Sequence, residues 1–373
     1  MILPADPGRL ARARVDELMA AFREVIENGM FILGPKVDTF ERAFEEWLGC
    51  KEAVGVANGT DSLELCLRAL GIGQGDLVIV PTHTAVATAA AVCRSGAEPV
   101  LIDIESTSFN LDLNKANHFM SHSQAANKVK AVVPVHLYGN PCDMTDVTSF
   151  ANRYGLKVIE DCSQAHGAMW QGKRVGCFGD AASFSCYPTK NLGAIGDAGV
   201  CATNSMEIAD KIRMLRQYGW RERYISDDIG MNSRLDEVQA ALLLVQLRHL
   251  NQDGELRKRI AEVYTRSLGN LPLVLPSTNT RALHAYHQYT VLVQNGKRDE
   301  LKAHLMGHGV LAAILYPKPI HQQPAYLEVA SRFESERNVS EAVCSSLICL
   351  PIHPLLSHVE LDVICDALHR FPW

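Results

Sequence analysis

Lys190 stands in a turn, Pro188-Thr189-Lys190-Asn191-Leu192-Gly193, just past a short apolar run, Ala181 to Tyr187. A lysine amine so placed can form a Schiff base with an aldehyde. Upstream, a second apolar run begins at Val158 and ends in Asp161. A carboxylate at that strand end can pair with a pyridinium nitrogen and keep the ring protonated as an electron sink. Ser185 and Thr189 add hydroxyls that suit a phosphate. Taken singly, each residue has an ordinary structural reading: a strand-end Asp caps the next loop, and a turn lysine is solvated. Their combination within residues 158–200 is what points to chemistry.

That stretch reads as strand, loop, strand and tight turn. Both apolar runs fit buried strands of a parallel sheet, and ligands of open α/β sheets bind beyond the strands' carboxyl ends. The strings EDCSQAHGA and GDAASFSCYPTKNLGAIGDAG resemble the DegT family of nucleotide-sugar aminotransferases. The resemblance extends over nearly the whole chain. It implies the aspartate-aminotransferase fold (fold type I, α/β) with pyridoxal 5'-phosphate as cofactor. A large domain would hold a mainly parallel sheet flanked by helices, and a smaller α/β domain would follow it.

By this resemblance Lys190 carries the cofactor and shuttles the proton, and Asp161 pairs with the ring nitrogen. Gln164 meets the ring hydroxyl, Ser185 meets the phosphate, and His166 lies near the ring in support of Asp161. Cys186 stands where many members carry Phe. The implied reaction moves an amino group, usually from glutamate, to a keto sugar nucleotide. The motifs lean toward a dTDP-linked 3-keto-6-deoxyhexose. A 4-keto nucleotide sugar and a keto-inositol are the alternatives on the same fold. A non-catalytic cofactor-binding regulatory protein is the alternative of another class. The family's dehydratases replace the lysine with histidine, so Lys190 argues against that reaction.

The elements that must position these residues follow in order. Residues Val15 to Glu27 carry Leu18, Met19, Phe22, Val25 and Ile26 at helical spacing, and Val37 to Leu48 form a second amphipathic helix with Phe40, Phe44 and Trp47 inward. A strand, AVGVA, leads into the turn Asn58-Gly59-Thr60-Asp61, where Thr60 or Asp61 can cap the next helix. A helix start presents free N–H groups and a positive dipole end, which suit a phosphate. The family uses this turn for the cofactor phosphate, so Gly59, Thr60 and Asp61 are carried over. In LVIVPTHTAVATAAAV the family's ring-stacking residue, usually aromatic, aligns with Ala85, which cannot stack. Neighbouring His83 is the residue expected to cover the ring instead.

The histidines of HFMSH lack the glutamate of a metalloprotease helix and read as surface. His136 and Tyr138 lie near a strand end. Strands alternating with helices from Ala53 to Asn204 predict a doubly wound, mainly parallel sheet. The polar turn GMNSRLD precedes an apolar helix from Leu235. By resemblance its Asn232 reaches the cofactor phosphate of a partner subunit, which implies a homodimer with shared sites. Arg221, Arg223 and Tyr224 form a polar cluster upstream. The boundary between the domains is expected near residue 250, giving 1–250 and 251–373. The smaller domain begins with a charged helix, GELRKRIAEVYTRSL. Its YPKPIHQQ resembles the family's sugar-side motif and places Tyr316 and His321 near the substrate.

Composition bounds the rest. A chain of 373 residues with 47% hydrophobic and 21% charged residues is long enough for two cores. A net charge of -6 gives no basic footprint for nucleic acid. The 11 cysteines include no CxxC pair and read as reduced core thiols. Neither an apolar signal-peptide core nor a membrane-length apolar run is present, so a cytoplasmic enzyme is expected.

Overall fold

The computed structural model describes residues 1–333 and 336–373. Its centre is a seven-stranded sheet: β1 (Glu52–Val56), β2 (Leu77–Pro81), β3 (Glu98–Ile102), β4 (Val129–Val132), β5 (Lys157–Asp161), β6 (Ala181–Ser185) and β7 (Gly199–Thr203). The strand order is β1-β7-β6-β5-β4-β2-β3. Pairings from β6 to β3 are parallel, and β7 runs antiparallel between β1 and β6. β1 and β6 therefore point the same way, and six strands end at one edge.

The strands are short and almost wholly apolar because helices cover both faces. Alternation sends neighbouring residues to opposite sides. On β5, Val158 joins the core under the helices Pro35–Leu48 and Glu237–Leu268, with Phe40, Phe44 and Phe184. Ile159 joins the other core, under Gly59–Ala69 and Met206–Leu215. The same alternation separates Glu160 from Asp161. Glu160 accepts backbone N–H bonds from Gly176, Phe178 and Gly179 at 2.7–2.8 Å, while Asp161 accepts from Thr88 on the opposite side.

A smaller unit carries the antiparallel strands β8 (Leu273–Val274), β9 (Tyr289–Val293) and β10 (Leu347–Leu350), in that order. Its core holds Tyr264, Tyr289, Leu301 and Ile364. The apolar helix and the charged helix read separately around residue 250 are one 32-residue helix, Glu237–Leu268, which crosses that boundary. Asn251 to Gly254 reads as a break, but these residues are held from outside. Trp47 Nε1 donates to Asn251 Oδ1 at 3.0 Å, and Arg14 pairs with Asp253 at 2.6 Å. These contacts outweigh the roughly 1 kcal/mol that a mid-helix glycine costs.

Three local readings change. The N-cap of Gly59–Ala69 is Asn58, whose Oδ1 accepts from Asp61 N at 2.8 Å, rather than Thr60 or Asp61. Trp47 is only half-buried, with the Arg174 guanidinium over its ring at 4.8 Å. In the helix Val15–Asn28 only Leu18 and Val25 are buried, while Met19, Phe22 and Ile26 are exposed. His118 and His122 lie on the helix Leu113–His122, stacked 4.2 Å apart and bound to no carboxylate among the described residues. No helix among the described residues is long and apolar enough to cross a membrane.

Candidate active site

The carboxyl ends of the strands border a cavity of about 570 Å³. Register brings its residues together: Asp161 lies opposite Ser183 on β5 and β6, and Ser185 lies opposite Gly199, which also pairs with Val56 at the end of β1. Asp161, Ser185 and the helix that starts at Gly59 thus share one edge. Lys190 enters from the turn after β6, and His287, Gln288 and Tyr316 enter from the smaller unit.

Lys190 is the only lysine on this cavity, and its Nζ has no hydrogen-bond or ion-pair partner among the described residues. Burial pushes its amine down from 10.5 to about 8, and Asp161 and Cys186 pull it partly back. A lysine so shifted has a sizeable neutral fraction near physiological pH, as a nucleophile needs.

Asp161 is buried and held at both oxygens. Ser163 N donates to Oδ1 at 3.1 Å and Thr88 Oγ1 to Oδ2 at 2.9 Å. Thr88's proton is committed to Asp161, so the 3.2 Å contact between Thr84 and Thr88 runs from the Thr84 hydroxyl. The carboxylate is fixed in rotation, and each oxygen keeps a lone pair for the cavity.

The helix start at Gly59 forms the floor. Its first N–H groups, on Gly59 and Thr60, have no acceptor within the helix. The Asn58 side chain serves only Asp61 N. A Cβ on Gly59 would lie 2.5 Å from Ser185 Cβ, so glycine is what lets the helix start approach β6. The Ser185 hydroxyl and two backbone N–H groups converge on one corner, a donor set for a phosphate.

Gln164 is locked by its own chemistry. Tyr138 N donates to Oε1 at 2.7 Å, which fixes the amide orientation because an N–H can only donate. Nε2 then donates to the Tyr316 hydroxyl at 2.6 Å. Tyr138 and Tyr316 both adopt left-handed backbone, with φ of 59° and 58°.

The sequence model of the DegT/DnrJ/EryC1/StrS aminotransferase family matches residues 13–369. The chain belongs to this family. It is similar, at 41% identity over 95% of each chain, to the dTDP-3-amino-3,6-dideoxy-alpha-D-galactopyranose transaminase of Aneurinibacillus thermoaerophilus. It is 39% identical, over 95% of this chain and 94% of the other, to the UDP-N-acetyl-3-dehydro-alpha-D-glucosamine 3-aminotransferase of Acidithiobacillus ferrooxidans. Among solved structures it resembles DesV of Streptomyces venezuelae in complex with a ketimine intermediate. That likeness has a TM-score of 0.92 and 38% identity, over 98% of this chain and 96% of the other.

DegT-family aminotransferases are pyridoxal-phosphate-dependent enzymes of fold type I acting on nucleotide sugars. The cavity fits that cofactor. It offers a partnerless amine for the aldehyde, a fixed carboxylate for the ring nitrogen and free helix-start N–H groups for the phosphate.

Not every DegT-family expectation falls on the cavity. Asp61 turns away and pairs with Arg94 at 3.0 Å. His83 does not line the cavity. It is fully buried behind the wall, with Nε2 2.9 Å from the Tyr138 hydroxyl and Nδ1 3.2 Å from Cys344 Sγ. Burial pushes it down to about 4, so it is neutral. His321 lies outside the lining. Its Nδ1 contacts Thr82 Oγ1 at 2.7 Å and its Nε2 contacts Glu341 at 2.9 Å, which ties the connector to the end of β2. His166 makes no hydrogen bond to Asp161. It packs on Phe184 with both ring nitrogens buried and unpartnered. Asn232 is exposed, bridged to Gln217, and does not line this chain's own cavity. Arg221, Arg223 and Tyr224 sit on an exposed hairpin, Trp220–Glu222 with Ile225–Ser226.

Sequence reasoning missed Thr88, Asp197, His287 and Gln288. Thr88 was legible in hindsight only as a hydroxyl one helical turn after Thr84. His287 sits far along the chain on an otherwise ordinary strand entry. It donates to Asn191 Oδ1 at 3.4 Å, and burial together with Lys190 keeps it neutral.

Among the described residues one side-chain group has metal-like composition: His136, Glu160 and Cys162. It does not fit a metal. His136 Nδ1 accepts from Cys142 N at 3.0 Å, so Nε2 carries the proton and donates to Glu160 at 3.2 Å. Neither ring nitrogen has a lone pair free for an ion.

Proposed function

We propose that this enzyme moves an amino group from glutamate to the ketone of a dTDP-linked 3-keto-6-deoxyhexose. The observation that carries the reading is Lys190: a depressed, partnerless amine facing the same cavity as a fixed carboxylate and a phosphate-binding helix start. The 41% identical dTDP-sugar transaminase supports the sugar class, and the UDP-sugar relative at 39% supports a rival one.

In this reading Lys190 holds pyridoxal phosphate, Asp161 keeps a proton on the ring nitrogen, and Gly59, Thr60 and Ser185 hold the phosphate. When bound, the cofactor withdraws electrons from the donor's α-carbon and makes its proton labile. Once the donor's amine has displaced it, Lys190 Nζ would take that proton and hand it back, a role that a free amine at about 8 suits near neutrality. Gln164 orients the ring, and Tyr316 lines the cavity beside it. His83 and His321 hold the wall and the connector. Asn232, which does not line this chain's own cavity, keeps the role the family resemblance gives it, a contact to the partner's cofactor phosphate in a cytoplasmic homodimer.

The test is a half-reaction followed by absorbance. The cofactor-loaded protein is converted with glutamate, the glutamate is removed, and keto sugar nucleotides are added singly. Return of the original visible band with a dTDP 3-keto sugar, and not with 4-keto or UDP-linked ones, is expected. Return only with a 4-keto or UDP-linked sugar overturns the substrate. No visible band at the outset overturns the enzyme reading itself.

A further inference from the structure

The donors around Gln164 can be counted, and one is left over. Oε1 takes the Tyr138 N–H, so Nε2 faces Tyr316. Nε2 has no lone pair to offer, so in the 2.6 Å contact the Tyr316 oxygen is the acceptor. The Tyr316 hydroxyl proton is therefore unspent, with no acceptor among the described residues. One of the two Nε2 protons is also unspent. Gln164 and Tyr316 both line the cavity beside Asp161. Two donors, one from each unit of the molecule, converge on the same place.

The backbone supports a purpose for this. Tyr316 has φ of 58°, a conformation that non-glycine residues rarely adopt and that persists where its surroundings over-determine it. Here they do. The ring stacks on Tyr138 at 6.3 Å and takes the edge of His83 at 6.0 Å. His83 is in turn fixed by the Tyr138 hydroxyl and Cys344. The aromatic box aims a hydroxyl it does not itself use. Burial and the nearby Asp161 push the phenol well above its ordinary range, so the hydroxyl keeps its proton at every working pH.

We propose that Tyr316 is a cofactor-binding residue whose hydroxyl, with the free N–H of Gln164, forms a two-donor clamp on the anionic ring oxygen of pyridoxal phosphate. The inference rests on the proposed cofactor orientation and extends it: the smaller unit contributes directly to the cofactor's charge state. Donors at that oxygen favour its bare anionic form over the form that shares a proton with the neighbouring imine nitrogen. Loss of one donor must raise the pH at which the bound cofactor's visible band titrates. A hydrogen bond to a charged oxygen implies a rise of about one to two units, roughly tenfold to a hundredfold in proton affinity.

The experiment compares the cofactor-loaded protein with Tyr316→Phe. The measurements are the spectral titration midpoint, the cofactor dissociation constant and the melting temperature. Asp161, Lys190, Asp197, His287 and Arg94 face the same cavity and are unchanged in the variant. A midpoint raised by about one unit or more, with the melting temperature retained, is the expected result. Gln164→Glu is a second route if the first variant folds poorly. Its carboxylate still accepts from Tyr138 N, but it now also takes the Tyr316 proton, so both donors leave the cavity. Its midpoint should rise at least as far.

An unchanged midpoint in folded, loaded Tyr316→Phe overturns the clamp. So does an unchanged midpoint accompanied by a raised KM for the keto sugar, which would place the hydroxyl on the substrate. Failure of the wild-type protein to give a visible band refutes the underlying cofactor reading instead, so the two failures are separable.

Discussion

Lys190 gives the sharpest test because its environment converts directly into a measurable fraction. With an amine at about 8, roughly a quarter of Lys190 is neutral at about pH 7.5, against about one in a thousand for an ordinary lysine. The ratio, a few hundredfold, is how much more reactive Lys190 should be than a solvated lysine of equal access. The assay is competitive labelling of the cofactor-free protein with an acylating reagent across the neutral and alkaline range, read peptide by peptide by mass spectrometry. Lys190 should show a midpoint near 8. In Asp161→Asn the midpoint should fall further, because Asp161 is the charge that holds it up. The shift also has a sign for stability. The folded value lies below 10.5, so the unfolded chain binds the extra proton between about 8 and 10.5, and the burial penalty below 8 fades as pH rises through that window. Lys190→Met, which removes the penalty, should melt higher than wild type at neutral pH in the absence of cofactor. A Lys190 midpoint indistinguishable from that of surface lysines would refute the reasoning, since desolvation in this cavity would then be absent.

Three further outcomes follow from the geometry. Gly59→Ala places a Cβ 2.5 Å from Ser185 Cβ, so the helix start must retreat. Its overpacking cost of about 1–3 kcal/mol should appear as a cofactor dissociation constant raised about fivefold or more, with fold retained by circular dichroism. Mixing Asn232→Ala with Lys190→Ala protomers should yield activity above either parent, as shared sites demand, and a mixture no better than its parents would count against sharing. Glu160 is pushed up by burial, but His136 and the N–H groups of Gly176 and Gly179 outweigh this and hold it below its ordinary value of 4.5. Its stabilisation is thus present above about 4.5 and lost as pH falls through the folded value. Urea midpoints of Glu160→Gln should be lower than wild type at neutral pH and less sensitive to acid below that point.

The framework of the site was legible because local pattern dictates it. Apolar runs ending in Asp161 and Ser185 must be buried strands, and a glycine turn between β1 and a helix must present free N–H groups. What sequence placed wrongly were residues whose partners lie far along the chain. His83 reads as a loop histidine beside a missing aromatic, yet Tyr138 and Cys344, at sequence distances no pattern spans, turn it into a buried brace. His321 reads as a sugar-side residue, yet Thr82 and Glu341 claim both its nitrogens. Asp61 is expected at the phosphate through its backbone amide, but that amide instead donates to Asn58 Oδ1, while its side chain pairs with Arg94. Hydrogen-bond valence makes the distinction that motif cannot. His83 and His321 have both nitrogens engaged by protein partners, whereas Lys190 has no partner and the Tyr316 hydroxyl keeps an unspent proton. Both groups line the cavity, where a ligand can complete them. The unpartnered ring nitrogens of His166 do not line it, so a missing partner marks a binding residue only where the group also faces the cavity.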